Sequence, residues 1–196
     1  MNGIKVENTY DISFNSELST SELEVSQDEI CEDVNINKDY KISLIINSIS
    51  STLEKLLKNE KQKKIASNLK EFVKPFKTHK IPDLSIKDYL ERIIKYTNCE
   101  INSLIYSIIL LDRICLNNIY LSPFNIHKFL FVTILLAIKI NEDNIYLNSY
   151  YSQIAGVSLN ELNSLEYNLC QILDYNFFVN DCTFNVYKEA IKINIP

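Results

Sequence analysis

Four charged residues interrupt apolar stripes in the helical part of the chain, namely Arg92, Asp112, Lys139 and Glu166. At 100° per residue, Asp112 falls inside the face that its helix builds from isoleucines. A buried carboxylate without a partner is very costly, so Asp112 on this face needs a cation, which Arg92 or Arg113 would supply. The alternative is that Asp112 reaches water.

Lys139 and Glu166 each allow two interpretations. Lys139 lies near the C-terminal end of the most apolar helix, where a cation complements the helix dipole by well under ~1 kcal/mol. Glu166 lies within a stripe of leucines and could mark a solvated edge. Isolated charges on an apolar surface are also typical of a binding face. The pattern leaves both interpretations open.

No set of residues in the sequence suggests catalysis or metal binding. The two glycines are too few for a loop that cradles phosphate, and His127 has no Ser or Cys nucleophile in a recognisable motif beside it. The five cysteines form no CxxC pair and are not spaced with the two histidines as zinc ligands. We predict that the chain is not an enzyme, has no cofactor and no metal, and keeps free thiols in a reducing compartment.

Composition favours a helical protein inside the cell. Hydrophobic residues make up 46% of the 196 residues, and two glycines with four prolines are a poor supply for the tight turns of an all-β fold. The net charge of −5 argues against nucleic acid as a partner. The longest apolar run, residues 129–138, is far shorter than the ~20 residues of a membrane span. Polar residues follow Met1, so we expect no signal peptide, no membrane partner and a location in the cytoplasm, the nucleus or both.

Charge and periodicity divide the chain into four parts. Residues 1–38 carry nine acidic residues and two lysines, a net charge of −7, and lack sustained periodicity, which predicts a disordered acidic arm. Residues 39–74 form an N-terminal helical extension, residues 75–187 hold the main helical domain, and residues 188–196 form a tail. The helix predicted over residues 122–141 is apolar all round, which indicates a central helix buried on every side.

Local start and stop signals set the helix boundaries. They predict helices over 40–58, capped by Asp39; over 65–73, ending before Pro75; over 86–96, capped by Ser85 with Asp88; over 98–117, capped by Thr97 with Glu100; over 122–141, opened by Ser122 and Pro123; from Asn148 to the terminator Gly156; over 159–173, capped by Ser158 with Glu161; and over 184–193, opened by Asn180 or Thr183.

The run PDLSIKDYLERI at residues 82–93 resembles the entry to the cyclin box of P-type (U-type) cyclins, the class that includes the phosphate-signalling cyclins of fungi. Three later runs are similar to later parts of that box: residues 104–113, which end Leu-Leu-Asp-Arg, residues 136–143, and residues 146–156 followed by 161–166. The resemblance covers residues 75–187. It implies an all-α fold with a single cyclin box of about five helices around a buried central helix, with extra N-terminal helices and a short C-terminal helix.

The resemblance also implies roles for the four charges. Arg92 and Asp112 would form a buried ion pair between helices of the box. Lys139 and Glu166 would bind a cyclin-dependent protein kinase, and the chain would activate that kinase by positioning its C-helix and activation segment. The alternative is a cyclin-fold scaffold or transcription adaptor without a kinase partner. Two features count against that alternative: the single box and the near-neutral charge of the domain. The whole chain carries −5 and residues 1–38 carry −7, so the remaining residues carry +2.

Overall fold

The computed structural model describes the backbone over residues 27–58 and 69–193 and the side chains over residues 40–58 and 69–191. All regular structure in these ranges is helical, as the sequence predicted. The chain divides into two compact units, Met1–Ile36 and Asn37–Pro196, and the packing described below lies within the second. The helices are α1 (Gln27–Lys58), α2 (Lys70–Val73), which runs into a 3-10 turn (Lys74–Phe76), α3 (Ile86–Thr97), α4 (Ile101–Leu116), α5 (Ile126–Asn141), α6 (Asn148–Ala155), α7 (Leu159–Ile172) and α8 (Asp181–Ile193).

The first helix begins earlier than the sequence pattern predicted. It starts at Gln27 instead of Tyr40, so residues 27–38 of the predicted arm are helical. Once a helix is nucleated, each added residue gains a backbone hydrogen bond, and residues 27–38 contain no glycine or proline that would stop it. The rest of the predicted arm, residues 1–26, and residues 65–68 of the predicted second helix lie outside the described residues.

The central helix is α5, and its apolar run is buried from Phe129 to Ile138 without a break. Burying each leucine, isoleucine or phenylalanine of this run stabilises the fold by about 1.5–3 kcal/mol. Its longest neighbour is α4, which also buries two serines, Ser103 and Ser107. Ser107 on α4 and Thr133 on α5 donate to carbonyls of their own helices, so these two hydroxyls enter the core with partners.

Four of the predicted helix start and stop signals are confirmed in atomic detail. The hydroxyl oxygens of Ser85 and Ser158 accept from the backbone N–H three residues later, each at 3.1 Å, and so cap α3 and α7. Gly156 ends α6 with φ 72°, a left-handed conformation in which a side chain would be strained. At the last helix, Asn180 Oδ1 accepts from the backbone N–H of Thr183, so Asn180 caps α8.

Two other predicted boundaries, the starts of α4 and α5, are wrong for identifiable reasons. Thr97 belongs to the end of α3 and donates to the carbonyl of Ile93, and α4 begins only at Ile101. The N-terminus of α4 is capped from a distance, because the Glu142 carboxylate accepts from the backbone N–H of Glu100 at 3.0 Å. The helix expected at residue 122 begins at Ile126, because a turn held by Asn125 comes first. The Asn125 amide oxygen accepts from the backbone N–H of residue 122 at 2.7 Å.

Candidate functional site

The structure brings Lys139 and Glu166 together as an ion pair. Lys139 Nζ lies 2.5 Å from Glu166 Oε1. The second carboxylate oxygen of Glu166 accepts from the Asn148 side-chain amide at 2.9 Å, and the same amide donates to Asn163. About a quarter of the Lys139 side chain is exposed (25%), and 19% of the Glu166 side chain. The pair is therefore shielded from bulk water but still open to a partner.

Three helices, α5, α6 and α7, position this pair, and each contributes one of the side chains. Lys139 occupies the last turn of α5, where its charge complements the helix dipole. Glu166 lies beside the leucines that bury the inner face of α7. Asn148 is the first residue of α6, so the short link between α5 and α6 places its amide at the carboxylate. The site is thus built where the central helix ends.

Both members of the pair retain unused hydrogen-bonding capacity. An ammonium group has three donors, and Lys139 uses one of them on Glu166 within the described residues. An ionised carboxylate offers about four acceptor positions, and Glu166 fills two. A protein that packed here could accept from Lys139 and donate to Glu166 without breaking the pair.

Exposed apolar side chains lie next to the pair along the chain. Ile140 follows Lys139, and Leu147, which precedes Asn148, is 79% exposed. We call the surface formed by Lys139, Ile140, Leu147, Asn148 and Glu166 the α5–α6 surface. Exposed apolar side chains next in the chain to members of a shielded charged site are typical of a protein–protein contact.

The expected buried ion pair between Arg92 and Asp112 is not formed. Asp112 is exposed, and its Oδ2 accepts from the Tyr187 hydroxyl at 2.7 Å. Arg92 is also exposed and donates to the carbonyl of Gln153 on α6 at 3.3 Å. The neighbouring candidate, Arg113, donates to the carbonyls of residues 176 and 178. Asp112 therefore needs no cation, because it reaches water, as the alternative interpretation of the sequence had it, and α8 supplies the Tyr187 hydroxyl as its partner.

The contact between Asp112 and Tyr187 depends on the phenol remaining protonated. Burial, together with the hydrogen bond to Asp112 and the charge of that carboxylate, raises the pKa of Tyr187 to about 12. The phenol is therefore a donor throughout the physiological range and ties α8 to α4. Asp112 is a positioning residue for the C-terminal helix rather than part of a buried charge pair.

A second ion pair between α5 and α7 was not recognised in the sequence. Lys128 Nζ lies 2.8 Å from Glu161 Oε1 and also donates to the carbonyl of Pro75 at 3.0 Å. The signal was available, because Lys128 interrupts the apolar face of α5 as Lys139 does. In the sequence, Glu161 was interpreted only as the capping-box residue three positions after Ser158. Its backbone N–H does donate to the Ser158 hydroxyl, but its carboxylate binds Lys128.

His127 contacts structural groups only. Its Nε2 lies 2.9 Å from the carbonyl of Leu84, so this nitrogen carries the proton, and its ring is tilted against Tyr89. Burial lowers the pKa of His127, an effect partly opposed by the Leu84 hydrogen bond. Over the described ranges, no three His, Cys, Asp or Glu side chains are grouped to hold a metal ion. Within the same ranges, none of the helices has the length and apolarity to span a bilayer.

A family model described as Cyclin matches residues 38–177. The match begins within α1 and ends after α7, so it includes every helix that contributes to the α5–α6 surface. Because it spans more than half of the chain, the chain belongs to the cyclin family and carries a single cyclin box. The members of this family are regulatory subunits rather than enzymes.

Proteins with similar sequences include U-type and P-type cyclins of plants and a PHO85 cyclin-like protein of a yeast. Cyclin-U2-1 of Arabidopsis thaliana is 33% identical over 150 residues, which cover 74% of this chain and 67% of that protein. Cyclin-P3-1 of Oryza sativa subsp. japonica is 28% identical over 152 residues, covering 77% and 64%. PHO85 cyclin-like protein psl1 of Schizosaccharomyces pombe is 33% identical over 119 residues, covering 59% and 49%. The chain thus spans about half to two thirds of the length of these three relatives.

Proposed function

We propose that this chain binds a cyclin-dependent protein kinase through the α5–α6 surface and activates it. The observation that carries the proposal is the ion pair of Lys139 and Glu166, shielded but open, beside exposed Ile140 and Leu147. Membership of the cyclin family and the similarity to a PHO85 cyclin-like protein support it. The chain itself catalyses nothing under this proposal.

The mechanism follows from the unused hydrogen-bonding capacity of the pair. Lys139 donates to kinase backbone carbonyls and Glu166 accepts from kinase backbone N–H groups, while Ile140 and Leu147 pack against apolar kinase side chains. A charge-assisted hydrogen bond of this kind contributes roughly 1.5–3 kcal/mol. Contacts at this site move the kinase C-helix inward and order the activation segment, which completes a catalytic site that belongs to the kinase.

The proposal is tested by purifying the chain from its native cells and measuring what it does to a kinase. A protein kinase is expected to co-purify with it, and that kinase, separated and assayed on a short peptide, should be active only after the chain is added back. A scaffold or adaptor predicts that no kinase co-purifies and that adding the chain to a cyclin-dependent kinase changes nothing. That second result would overturn the proposal.

A further inference from the structure

A groove with basic walls lies apart from the α5–α6 surface, where the segment before α3 meets the start of α5. Its volume is about 720 Å³, which is within the usual range for ligand sites. We call it the basic groove, and it is lined by Lys74, Pro75, Lys77, Thr78, His79 and Phe124. We propose that the basic groove binds a phosphorylated segment of a partner protein.

The charge of the groove is concentrated in a short segment. Residues 70–80 contain four lysines and one glutamate, a net charge of +3, whereas the whole chain carries −5. Lys74 and Lys77 are exposed, and neither forms an ion pair with any residue that the structure describes. Both lysines line the groove, so an anion bound there would be attracted by two cations that have no carboxylate partner among the described residues.

The backbone that carries these lysines is fixed by three anchors. Phe76 is fully buried and stacks on Phe129 of α5 with ring centroids 3.9 Å apart. The Lys128 ammonium holds the carbonyl of Pro75. Both the backbone N–H and the hydroxyl of Thr78 donate to the carbonyl of Phe124, each at 2.7 Å. The groove is therefore formed before any ligand binds, and binding loses little conformational entropy in this backbone.

The lining favours a phosphorylated peptide over other polyanions. Ammonium groups and a ring N–H of His79 supply donors for phosphate oxygens, while the rings of Pro75 and Phe124 supply apolar contact for a peptide chain. A nucleic acid or an anionic membrane presents an extended negative surface and would also meet residues 81–196, where twelve acidic and eight basic residues give a net charge of −4. A short phosphopeptide responds to local charges within about 8 Å, the Debye length at physiological salt.

This inference goes beyond the proposed kinase role and can be tested on the full chain alone. The probe is a fluorescent ten-residue peptide that carries two phosphoserines, measured by polarisation against the same peptide without phosphate. The phosphorylated form should bind and the unphosphorylated form should not. The double substitution Lys74→Ala/Lys77→Ala should weaken binding about 100-fold or more, at about tenfold for each lost charge-assisted contact.

A matched control removes two lysines elsewhere. Lys87→Ala/Lys95→Ala takes the same charge from exposed positions on α3 and should leave peptide affinity unchanged. Circular dichroism melting of each variant verifies the fold. Equal binding of both peptide forms, or equal losses in the two double variants, would overturn the inference. So would an anionic vesicle or a single-stranded oligonucleotide that binds more tightly than the phosphopeptide, because the groove would then be a general polyanion surface.

The outcome is distinguishable from failure of the proposed kinase role. Lys74→Ala/Lys77→Ala should still bind the kinase and stimulate it fully on a short unphosphorylated peptide substrate, because neither lysine belongs to the α5–α6 surface. If kinase stimulation is absent in the wild-type chain while phosphopeptide binding persists, the groove assignment stands and the kinase proposal fails. Loss of kinase stimulation in a folded Lys74→Ala/Lys77→Ala variant would contradict the separation of the two sites.

Discussion

Two ion pairs join α5 to α7, and they differ in what surrounds them. Lys128 uses two donors inside the protein, one on Glu161 and one on the carbonyl of Pro75. Among the described residues, Lys139 uses one donor, on Glu166, and exposed Ile140 follows it in the chain. The first pair fastens the segment before α3 to the core. The second pair retains hydrogen-bond donors and acceptors that no described residue uses. The same residue types, on the same two helices, thus form one pair with a structural role and one pair for which we propose a binding role.

The largest expected effect on stability comes from the first pair. Lys128→Met should lower the free energy of unfolding by about 1–3 kcal/mol, because it leaves the Pro75 carbonyl and the Glu161 carboxylate without their common donor. Glu166→Gln keeps the shape of the side chain and the bond from Asn148, and should cost under about 1 kcal/mol. Urea denaturation, monitored by circular dichroism, gives the free energy of unfolding of Lys128→Met and of Glu166→Gln. The two values are compared at a constant m-value. An equal or larger loss for Glu166→Gln would mean that both pairs are structural.

Substitution of Asp112 tests whether this residue accepts a hydrogen bond from Tyr187 and is not part of a buried ion pair. Asp112→Ala should cost about 0.5–1.5 kcal/mol, the usual net worth of one hydrogen bond, because it removes only the acceptor of Tyr187. Tyr187→Phe should cost a similar amount, and the double variant little more, since both delete the same contact. Asp143→Ala, at an exposed position, serves as the control. A loss of about 3–5 kcal/mol for Asp112→Ala would instead indicate a buried charge pair.

The smallest expected effect is a pH dependence at the N-terminal end of α5. Burial lowers the pKa of His127 below its unfolded value of about 6.5, so folding favours the neutral ring. This contribution is complete above pH about 6.5 and is lost as the pH falls through the lower folded-state pKa. The stability of the wild-type chain should therefore fall more between pH 7.5 and pH 5.5 than that of His127→Gln. Parallel losses in the two proteins would show that His127 is already solvated.

The sequence predicted the α5 core and the local caps because both depend on residues close in the chain. The run over residues 129–138 is apolar on every side, so the helix that contains it must be buried on every side. Ser85, Gly156 and Ser158 act on backbone groups within a few residues of themselves. The start of α4 was wrong because its cap, Glu142, comes from another helix end. Long-range partners of this kind leave no local signal.

The same limit explains the outcome for the four charges. Helical periodicity places Asp112 on an inner face, but only the packed chain shows that α8 reaches that face and presents Tyr187. Lys139 and Glu166 were paired through the family resemblance, since 27 residues separate them and no periodicity links two helices. The basic groove was not anticipated because it needs Phe124 beside Lys74 and Lys77, which the tertiary fold alone brings together.

We propose that the second ion pair, and not the first, binds a kinase. The most direct test measures the affinity of the co-purifying kinase for four folded variants: Lys139→Met, Glu166→Gln, Lys128→Met and Glu161→Gln. The first two should bind about 10- to 150-fold more weakly, which corresponds to roughly 1.5–3 kcal/mol at ~1.4 kcal/mol per decade. The last two should keep the wild-type affinity. Equal weakening by all four variants, or no weakening by Lys139→Met and Glu166→Gln, would show that the second pair is not the kinase-binding site.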